Sequence, residues 1–451
     1  MLSTLSRPLS RFVERWLPGP FVLAAALTVI VAIMTLTLTP ATPREVLVGW
    51  GDGLTGLLEF MTQICLVLLL GYTLANTRPV HRLLVRAASL PRTPRQAYGF
   101  VALIGGVASL ISFGLGLIVA GVMAVEVARV FADRKEALHY PLLVASGYSG
   151  FVVWHMGYSG SGPLNAATEG GAYAKLPGGL VDITRTTFSV WNITATLVTL
   201  VAVVAAMMLL APKPDEQITP APASAFEEPD LAAQDEAGVS TTPADRIEQL
   251  RAIPLVIGVI LGLYLVVYFY DNGFALTLDI VNWTFLALIL LLVGNARELA
   301  VLIASAGRTV GEVLLQYPLY AGIIGMMAAT GLVDVISNWF IAISTPATLG
   351  LWTFLSAGLL NMFIPSGGGQ FAVMAPLFAQ AADGLGVDQA VVIMGIAYGD
   401  QWTNMIQPFW AIPLMAVAGL KVRAILGYTL ITLIITGVIF GATMLIVSAT
   451  L

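Results

Sequence analysis

The sequence predicts an all-α polytopic membrane protein with about nine full spans, two of them broken helices, plus two re-entrant helical hairpins. Three observations carry this. Of 451 residues, 58% are hydrophobic and 10% charged, where a soluble chain carries roughly 25% charged residues. Apolar runs of about 20 residues, the length that crosses a bilayer core, recur throughout. The third is a set of interruptions, in which glycine, serine and proline fall in the middle of four apolar stretches. Such residues leave backbone groups unpaired. At membrane depth that is tolerated only where protein or a wet cavity covers them.

In chain order, residues 1–19 read as an interfacial amphipathic helix. Leu2, Leu5, Leu9, Phe12, Val13 and Trp16 recur near helical spacing, with Arg7, Arg11 and Arg15 among them. No small-residue cleavage site precedes Phe21, which argues against a cleaved signal. Spans follow at about 20–39, 56–77, 187–211, 252–270, 276–295, 311–331 and 424–447. The crossings at about 140–168 and 388–416 are interrupted. The segments 97–131 and 347–383 break halfway into pieces of about 15 residues. At 1.5 Å per residue each piece reaches about 22 Å, short of a ~30 Å core. They are expected to turn back as hairpins.

Basic residues orient these elements. Arg7, Arg11 and Arg15 place the N-terminus in the cytoplasm, and Arg78, Arg82, Arg86, Arg92 and Arg95 mark the next cytoplasmic loop. Arg129, Arg134 and Lys135 follow the first hairpin on the same side, as a hairpin requires. Arg297, Arg308, Lys421 and Arg423 also fall inside, and counting crossings leaves Leu451 outside. The stretch 213–250 is rich in Asp, Glu, Pro and Ala. It reads as an acidic, disordered cytoplasmic linker. It joins a first repeat, 20–212, to a linking helix and second repeat, 251–451.

The chain repeats itself. Glu59-Phe-Met-Thr-Gln63 aligns with Glu312-Val-Leu-Leu-Gln316, Thr77 with Thr330, and Thr93 with Thr345. Ser109–Gly116 aligns with Asn361–Gly368, Tyr148-Ser-Gly150 with Tyr398-Gly-Asp400, and Pro163-Leu164 with Pro413-Leu414. The first hairpin enters from the cytoplasm and the second from outside, so the repeats are inverted. Inverted repeats with broken helices at the midplane are the architecture of alternating-access secondary transporters.

Four interruptions carry the candidate chemistry. The first hairpin turns at Ser109-Leu-Ile-Ser-Phe-Gly-Leu-Gly116, offering Ser112 and Gly114. A small-residue helix contact is the plainer reading there. The second turns at Asn361-Met-Phe-Ile-Pro-Ser-Gly-Gly-Gly-Gln370, offering Asn361, Ser366, Gly367, Gly368 and Gln370. Its glycines let helix N-terminal amides face a ligand, and a helix N-terminus suits a carboxylate. The span Trp154-His-Met-Gly-Tyr-Ser-Gly-Ser-Gly-Pro163 supplies Ser159 and Ser161 hydroxyls and His155, the one histidine expected within a span. A histidine in a span is either a satisfied structural group or functional, and cost in the membrane favours function. The span Tyr398-Gly-Asp-Gln-Trp-Thr-Asn-Met-Ile-Gln-Pro408 places Asp400, Thr403, Asn404 and Gln407 close to one helical face. Asp400 reads either as a helix cap at the break or as a coupling site. Coupling would use a proton on Asp400 or His155, or a sodium ion near Asp400 and Asn361.

None of these four stretches contains Arg or Lys. A dicarboxylate or phosphate would normally recruit Arg forks. Their absence favours a small monoanion held by amides, hydroxyls and His155. Phe113, Trp154, Phe363, Phe371 and Trp402 are candidates for an apolar wall. Gly258-x-x-x-Gly262 and Gly437-x-x-x-Gly441 read as helix-packing motifs. The single Cys65 excludes a disulfide framework. No hydrolase, kinase or metal motif occurs, so neither an enzyme nor a resident cofactor is expected. No nucleic-acid partner is expected either.

At Asn361-Met-Phe-Ile-Pro-Ser-Gly-Gly-Gly-Gln-Phe-Ala-Val373, Gly399-Asp-Gln-Trp-Thr-Asn-Met-Ile-Gln-Pro-Phe-Trp410, and Trp154-His155 with Ser159-Gly-Ser161, the sequence resembles the bacterial short-chain fatty acid transporter family of acetoacetate and butyrate permeases. The likeness covers nearly the whole chain and is weakest at 213–249. Met156 departs from the glycine the family pattern leads one to expect. The resemblance implies cation-coupled import of short-chain monocarboxylates by an elevator-like mechanism, in a homodimer in the bacterial inner membrane. A C4-dicarboxylate or amino-acid exchanger of related fold, and a passive anion channel, are the alternatives.

Overall fold

Each long apolar run becomes a helix with bounds close to those expected, because in hydrocarbon only a helix pairs its own backbone. The structure, a computed structural model, describes residues 20–168, 172–213, 216–226, 242–273, 277–307 and 310–451. The expected helix at 1–19 lies outside these. In order come α1 (Pro20–Leu38), α2 (Pro43–Gly53), α3 (Leu58–Ala75), α4 (Arg78–Ala88), α5 (Pro94–Ile111), α6 (Phe113–Asp133) and α7 (Tyr140–Gly150). A 3-10 turn at Phe151–Met156 extends α7 before α8 (Ser161–Ala167) and α9 (Val190–Leu209). Beyond the linker lie α10 (Pro243–Glu248), α11 (Ala252–Asn272), α12 (Leu278–Leu292), α13 (Ala296–Ala306), α14 (Gly311–Thr330), α15 (Leu332–Ala342) and α16 (Leu349–Asn361). Then come α17 (Gly367–Leu385), α18 (Gln389–Thr403), α19 (Ala411–Ala418) and α20 (Arg423–Thr450). No strand occurs among the described residues.

Seven helical stretches among the described residues are long and apolar enough to cross a membrane: α1, the α2–α3 run, α6, α9, α11, most of α14, and α20. The chain is a multi-pass helical membrane protein. Two expectations about length change. The second arm of the first hairpin, α6, has 21 residues, about 31 Å of helix, so shortness of the arms does not define the hairpins. The span expected at 276–295 forms only 15 residues, α12.

Four shorter helices, α2, α4, α13 and α15, were not expected, because none is a 20-residue apolar run. α4 is amphipathic, with Arg78, Arg82 and Arg86 interleaved among Val80, Leu83, Leu84 and Val85. They fall in matching places. Pro43 to Ala296 and Leu58 to Gly311 are each 253 positions apart, the same spacing as the sequence repeat. Contacts cross between the halves. α1 and α2 pack on α14, while α12 and α13 pack on α3. α5 packs on α7 and α16 on α18, and α6 packs on α19 while α17 packs on α8. The breaks of both halves are thereby drawn into one region.

The helix crossing of α2 on α14 is a close one. A Cβ at Gly53 would lie 2.8 Å from both the Ala321 carbonyl and Gly325 Cα. The expected packing motifs do less. Gly258 sits against Leu290 and Gly437 against Trp402, but Gly262 has nothing within 4 Å. The described start of the linker, 216–226, makes contacts with the helices. The Thr219 amide donates to His139 Nδ1 at 3.0 Å, and the Tyr140 amide donates to the Thr219 carbonyl at 2.9 Å. Arg129 lies over the Phe226 ring. Gly325→Val should overpack the α2–α14 crossing and cost about 1–3 kcal/mol, read as a lower apparent melting temperature in detergent than Gly262→Val shows.

Candidate functional site

The first hairpin turns through a single residue. Ser112 (φ −152°, ψ 134°) ends α5 and starts α6. The turn is held by the neighbouring break. The Phe113 amide donates to Ser159 Oγ at 3.0 Å, and the Tyr158 amide donates to the Leu110 carbonyl at 2.7 Å. A Cβ at Gly157 would strike the Leu110 backbone, so glycine is what allows this approach.

The second turn is longer. Ile364, Pro365 and Ser366 are non-helical. Ser366 Oγ caps α17 by accepting the Gly369 amide at 3.3 Å. Asn361 closes the other side. Its Nδ2 lies 2.9 Å from the Asp400 carbonyl, 2.9 Å from Thr403 Oγ1 and 2.8 Å from Asn404 Oδ1. Thr403 Oγ1 donates to the Gly358 carbonyl at 2.9 Å, and Tyr148 donates to the Asn404 carbonyl at 2.7 Å. The break after α18 is thus stitched to the second hairpin and to α7.

The two halves meet at His155. Its amide donates to Gln401 Oε1 at 2.9 Å, which fixes the 3-10 turn against α18. Its Nε2 lies 3.9 Å from Asp400 Oδ1, and both side chains are fully buried. Neither ring nitrogen of His155 and neither oxygen of Asp400 makes a hydrogen bond of ordinary geometry; the Ala397 backbone and the Asn404 side chain are their polar neighbours. Gly367 abuts the same ring. A Cβ there would collide with His155 Nε2 and lie 2.7 Å from Trp154 Cη2. A glycine helix start, an imidazole and a carboxylate therefore converge. Buried ionisable groups without partners are costly, and such clusters are where ligands and ions act.

An aromatic layer adjoins this centre. Trp154 packs on Phe113 and Trp410 with ring centroids 5.3 and 5.6 Å away. Phe60 of α3 meets Trp410 at 5.8 Å, and Tyr317 of α14 stacks on Phe409 at 3.9 Å.

The short-chain fatty acid transporter family model matches residues 1–447. The chain belongs to that family. It is 40% identical over 440 residues to a provisionally named short-chain fatty acid transporter of Escherichia coli (strain K12), covering 98% of each chain. A second relative with the same provisional name, from Haemophilus influenzae, is 36% identical over 446 residues, again covering 98% of each. Among solved structures, the YdaH transporter of Alcanivorax borkumensis matches with a TM-score of 0.45 and 17% identity over 94% of this chain and 98% of that one.

Within this member of the family, the candidate residues divide. His155, Asp400, Gly367, Asn361, Thr403 and Asn404 are brought together. Ser159 and Ser112 hold the first turn, and Ser366 caps α17. Gln370 donates to the Ala357 carbonyl at 2.7 Å and leaves its Oε1 unpaired. Ser161 begins α8, half-buried. Three others point elsewhere. Gly114 faces Val67 and Leu278, and Gly368 is exposed with nothing within 4 Å. Gln407 Oε1 accepts the Phe409 amide at 2.6 Å, a local cap. Asp400 is no helix cap; it lies inside α18, and the α18 N-cap is Asp388. Of the proposed apolar wall, Phe113 and Trp154 adjoin the centre. Phe371 stacks on Tyr173, while Trp402 packs on Phe354 and donates to the Leu433 carbonyl. Met156 is buried, and its carbonyl accepts from Asn192 at 3.0 Å.

The Asp400 carbonyl, Thr403 Oγ1 and Asn404 Oδ1 gather around the Asn361 side chain. Among the described residues no three His, Cys, Asp or Glu side chains cluster to hold a metal. Sequence reasoning missed Gln401, which lies about 100° around the helix from Asp400 and so off the polar face. It also missed Trp410 and Phe60.

Gly367→Ala should push a methyl group into the His155 ring. That overpacking should cost about 1–3 kcal/mol, read as a lower apparent melting temperature in detergent. Asn361→Leu should take the side-chain donor from the buried Asp400 carbonyl and Asn404 Oδ1, at about 1–3 kcal/mol each, lowering the melting temperature without ligand.

Proposed function

We propose that this protein is a secondary active transporter of short-chain fatty acids such as acetoacetate, butyrate and acetate. The observation that carries the reading is the convergence of the Gly367 helix start, His155 and Asp400 with no Arg or Lys in any of the four interrupted stretches. A small monocarboxylate needs one anion-binding end, which a helix N-terminus and an imidazole provide. A dicarboxylate would need a second. The carboxylate is placed at the Gly367 end of α17 beside His155, with Thr403, Asn404 and the Ser159 and Ser161 region shaping the surrounding wall. The adjoining Phe113, Trp154 and Trp410 rings suit a short alkyl tail.

Alternating access follows from an inverted pairing of the halves, in which the hairpins and broken helices move against α1–α3 and α11–α14 while coupled to a cation. The distribution of Arg and Lys supports an N-terminus inside and a C-terminus outside; a homodimer in the cytoplasmic membrane belongs to the same proposal. Proteoliposomes test the reading. Radiolabelled butyrate should show saturable counterflow, accelerated by internal unlabelled butyrate and competed by acetate and acetoacetate. Stronger competition by succinate would overturn the monocarboxylate assignment. Flux without acceleration by internal substrate would point to a channel.

A further inference from the structure

The His155–Asp400 pair is electrically isolated, and this bears on what travels with the substrate. Elements packed on the His155 turn and on α18 are α5, α6, α7, α8, α9, α16, α17 and α20. Their charged residues are Arg95, Glu126, Arg129, Asp133, Asp383 and Arg423. All lie towards outer ends. Glu126 is the nearest of these to a turn, 13 residues beyond Phe113, about 20 Å along the helix. The remaining titratable groups are tyrosines. Tyr148 and Tyr398 are committed to Asn404 and Asn192, Tyr98 to the His139 amide and Tyr140 to the Ala418 carbonyl, and Tyr428 to His139. Among the described residues the centre thus holds one acid and one base, and the other charges on the elements packed against it lie towards their outer ends.

Without substrate, one proton shared by the pair leaves the centre neutral, on either the acid or the imidazole. A substrate carboxylate entering at Gly367 comes beside His155 and therefore beside Asp400. Two carboxylates in one dry site cannot both be ionised unless the charge is offset. A second proton resolves this. Imidazolium then faces the substrate, Asp400 is the neutral acid, and the total is again zero. The field of the α17 N-terminus favours the anion but is the same in either case, so it does not replace the proton.

We infer, resting on the substrate reading above, that the transporter carries a single proton with each monocarboxylate, electroneutrally, and that His155 is the group on which the co-transported proton rides. Asp400 is its charge partner. In His155→Gln the remaining acid stays protonated beside the substrate, so no proton accompanies the anion. In Asp400→Asn, an isostere of the protonated acid, His155 still takes a proton from solution as substrate binds. A merely structural pair would not split the two variants in this way.

The test uses the full chain in proteoliposomes with a trapped pH dye, protein-free vesicles subtracted, and acetoacetate as probe. Counterflow at equal pH is run first, because its absence would remove the substrate reading itself. Given counterflow, net uptake should acidify the lumen in proportion to acetoacetate entering. It should ignore sodium and an imposed potential. If one charge moved, a potential of about 100 mV would alter the accumulation ratio roughly fifty-fold. Asp400→Asn should keep the proton-to-substrate ratio at a lower rate. Uptake by His155→Gln should lose the proton flux and become potential-sensitive. Wild-type uptake that carries current or needs sodium would overturn the inference, and this arm stands even if His155→Gln is inactive. An unchanged proton ratio in an active His155→Gln would overturn the role of His155.

Discussion

A helix that stops inside a membrane frees amides and carbonyls that water cannot reach, and this fold depends on how those groups are satisfied. The four breaks satisfy one another. The Leu110 carbonyl takes the Tyr158 amide, and Ser159 takes the Phe113 amide. Gln401 takes the amide of His155, and Asn361 holds the Asp400 carbonyl. Thr429 and Tyr148 reach in from α20 and α7 to the Met405 and Asn404 carbonyls. Each bond joins elements far apart in sequence, so no break is stable without the others. Buried unpaired groups cost several kcal/mol apiece in hydrocarbon, which makes this mutual capping a condition of folding.

That closure also isolates what is functional. Once backbone is accounted for, the His155 ring and the Asp400 carboxylate are the ionisable side chains at the breaks that make no hydrogen bond of ordinary geometry. Their surroundings are closely packed. Trp154, Phe113, Phe151 and Trp410 pack into one aromatic block, and glycine at 367 brings the α17 start against the ring. Charges at the ends of the domain serve other purposes. His81, Glu126 and Arg129 link α4 to the far end of α6, and Arg185 binds Asp388 at the start of α18.

Much of this was legible in the sequence. Hydropathy located the long helices because the bilayer sets their length, and the Pro-Ser-Gly-Gly-Gly run marked its break because proline and glycine end helices. His155 and Asp400 were legible as ionisable residues in apolar surroundings. What escaped is what lacks such a signal. α2 and α13 are too short for a span window, and the amphipathic α4 resembles a basic loop. Gly114 and Gly368 belong to the right motifs but face the wrong way, since a glycine carries no side chain to announce its direction. Gln401 was hidden by its helical phase, and Phe60 and Trp410 approach the centre only through tertiary packing.

The crossed packing of the halves has a temporal side. Gln63 of α3 binds Asp279 of α12 at 3.1 Å, a partner 216 residues later, and Asn282 returns a bond to the Gln63 carbonyl. A ribosome adding about 5–20 residues per second takes roughly ten to forty seconds to supply it. Through that interval α3 sits in the bilayer with a polar side chain unmatched, and α14 has yet to reach α1 and α2. The first half is therefore an assembly intermediate awaiting its complement, and the insertion machinery or neighbouring lipid must shelter it until α12 arrives.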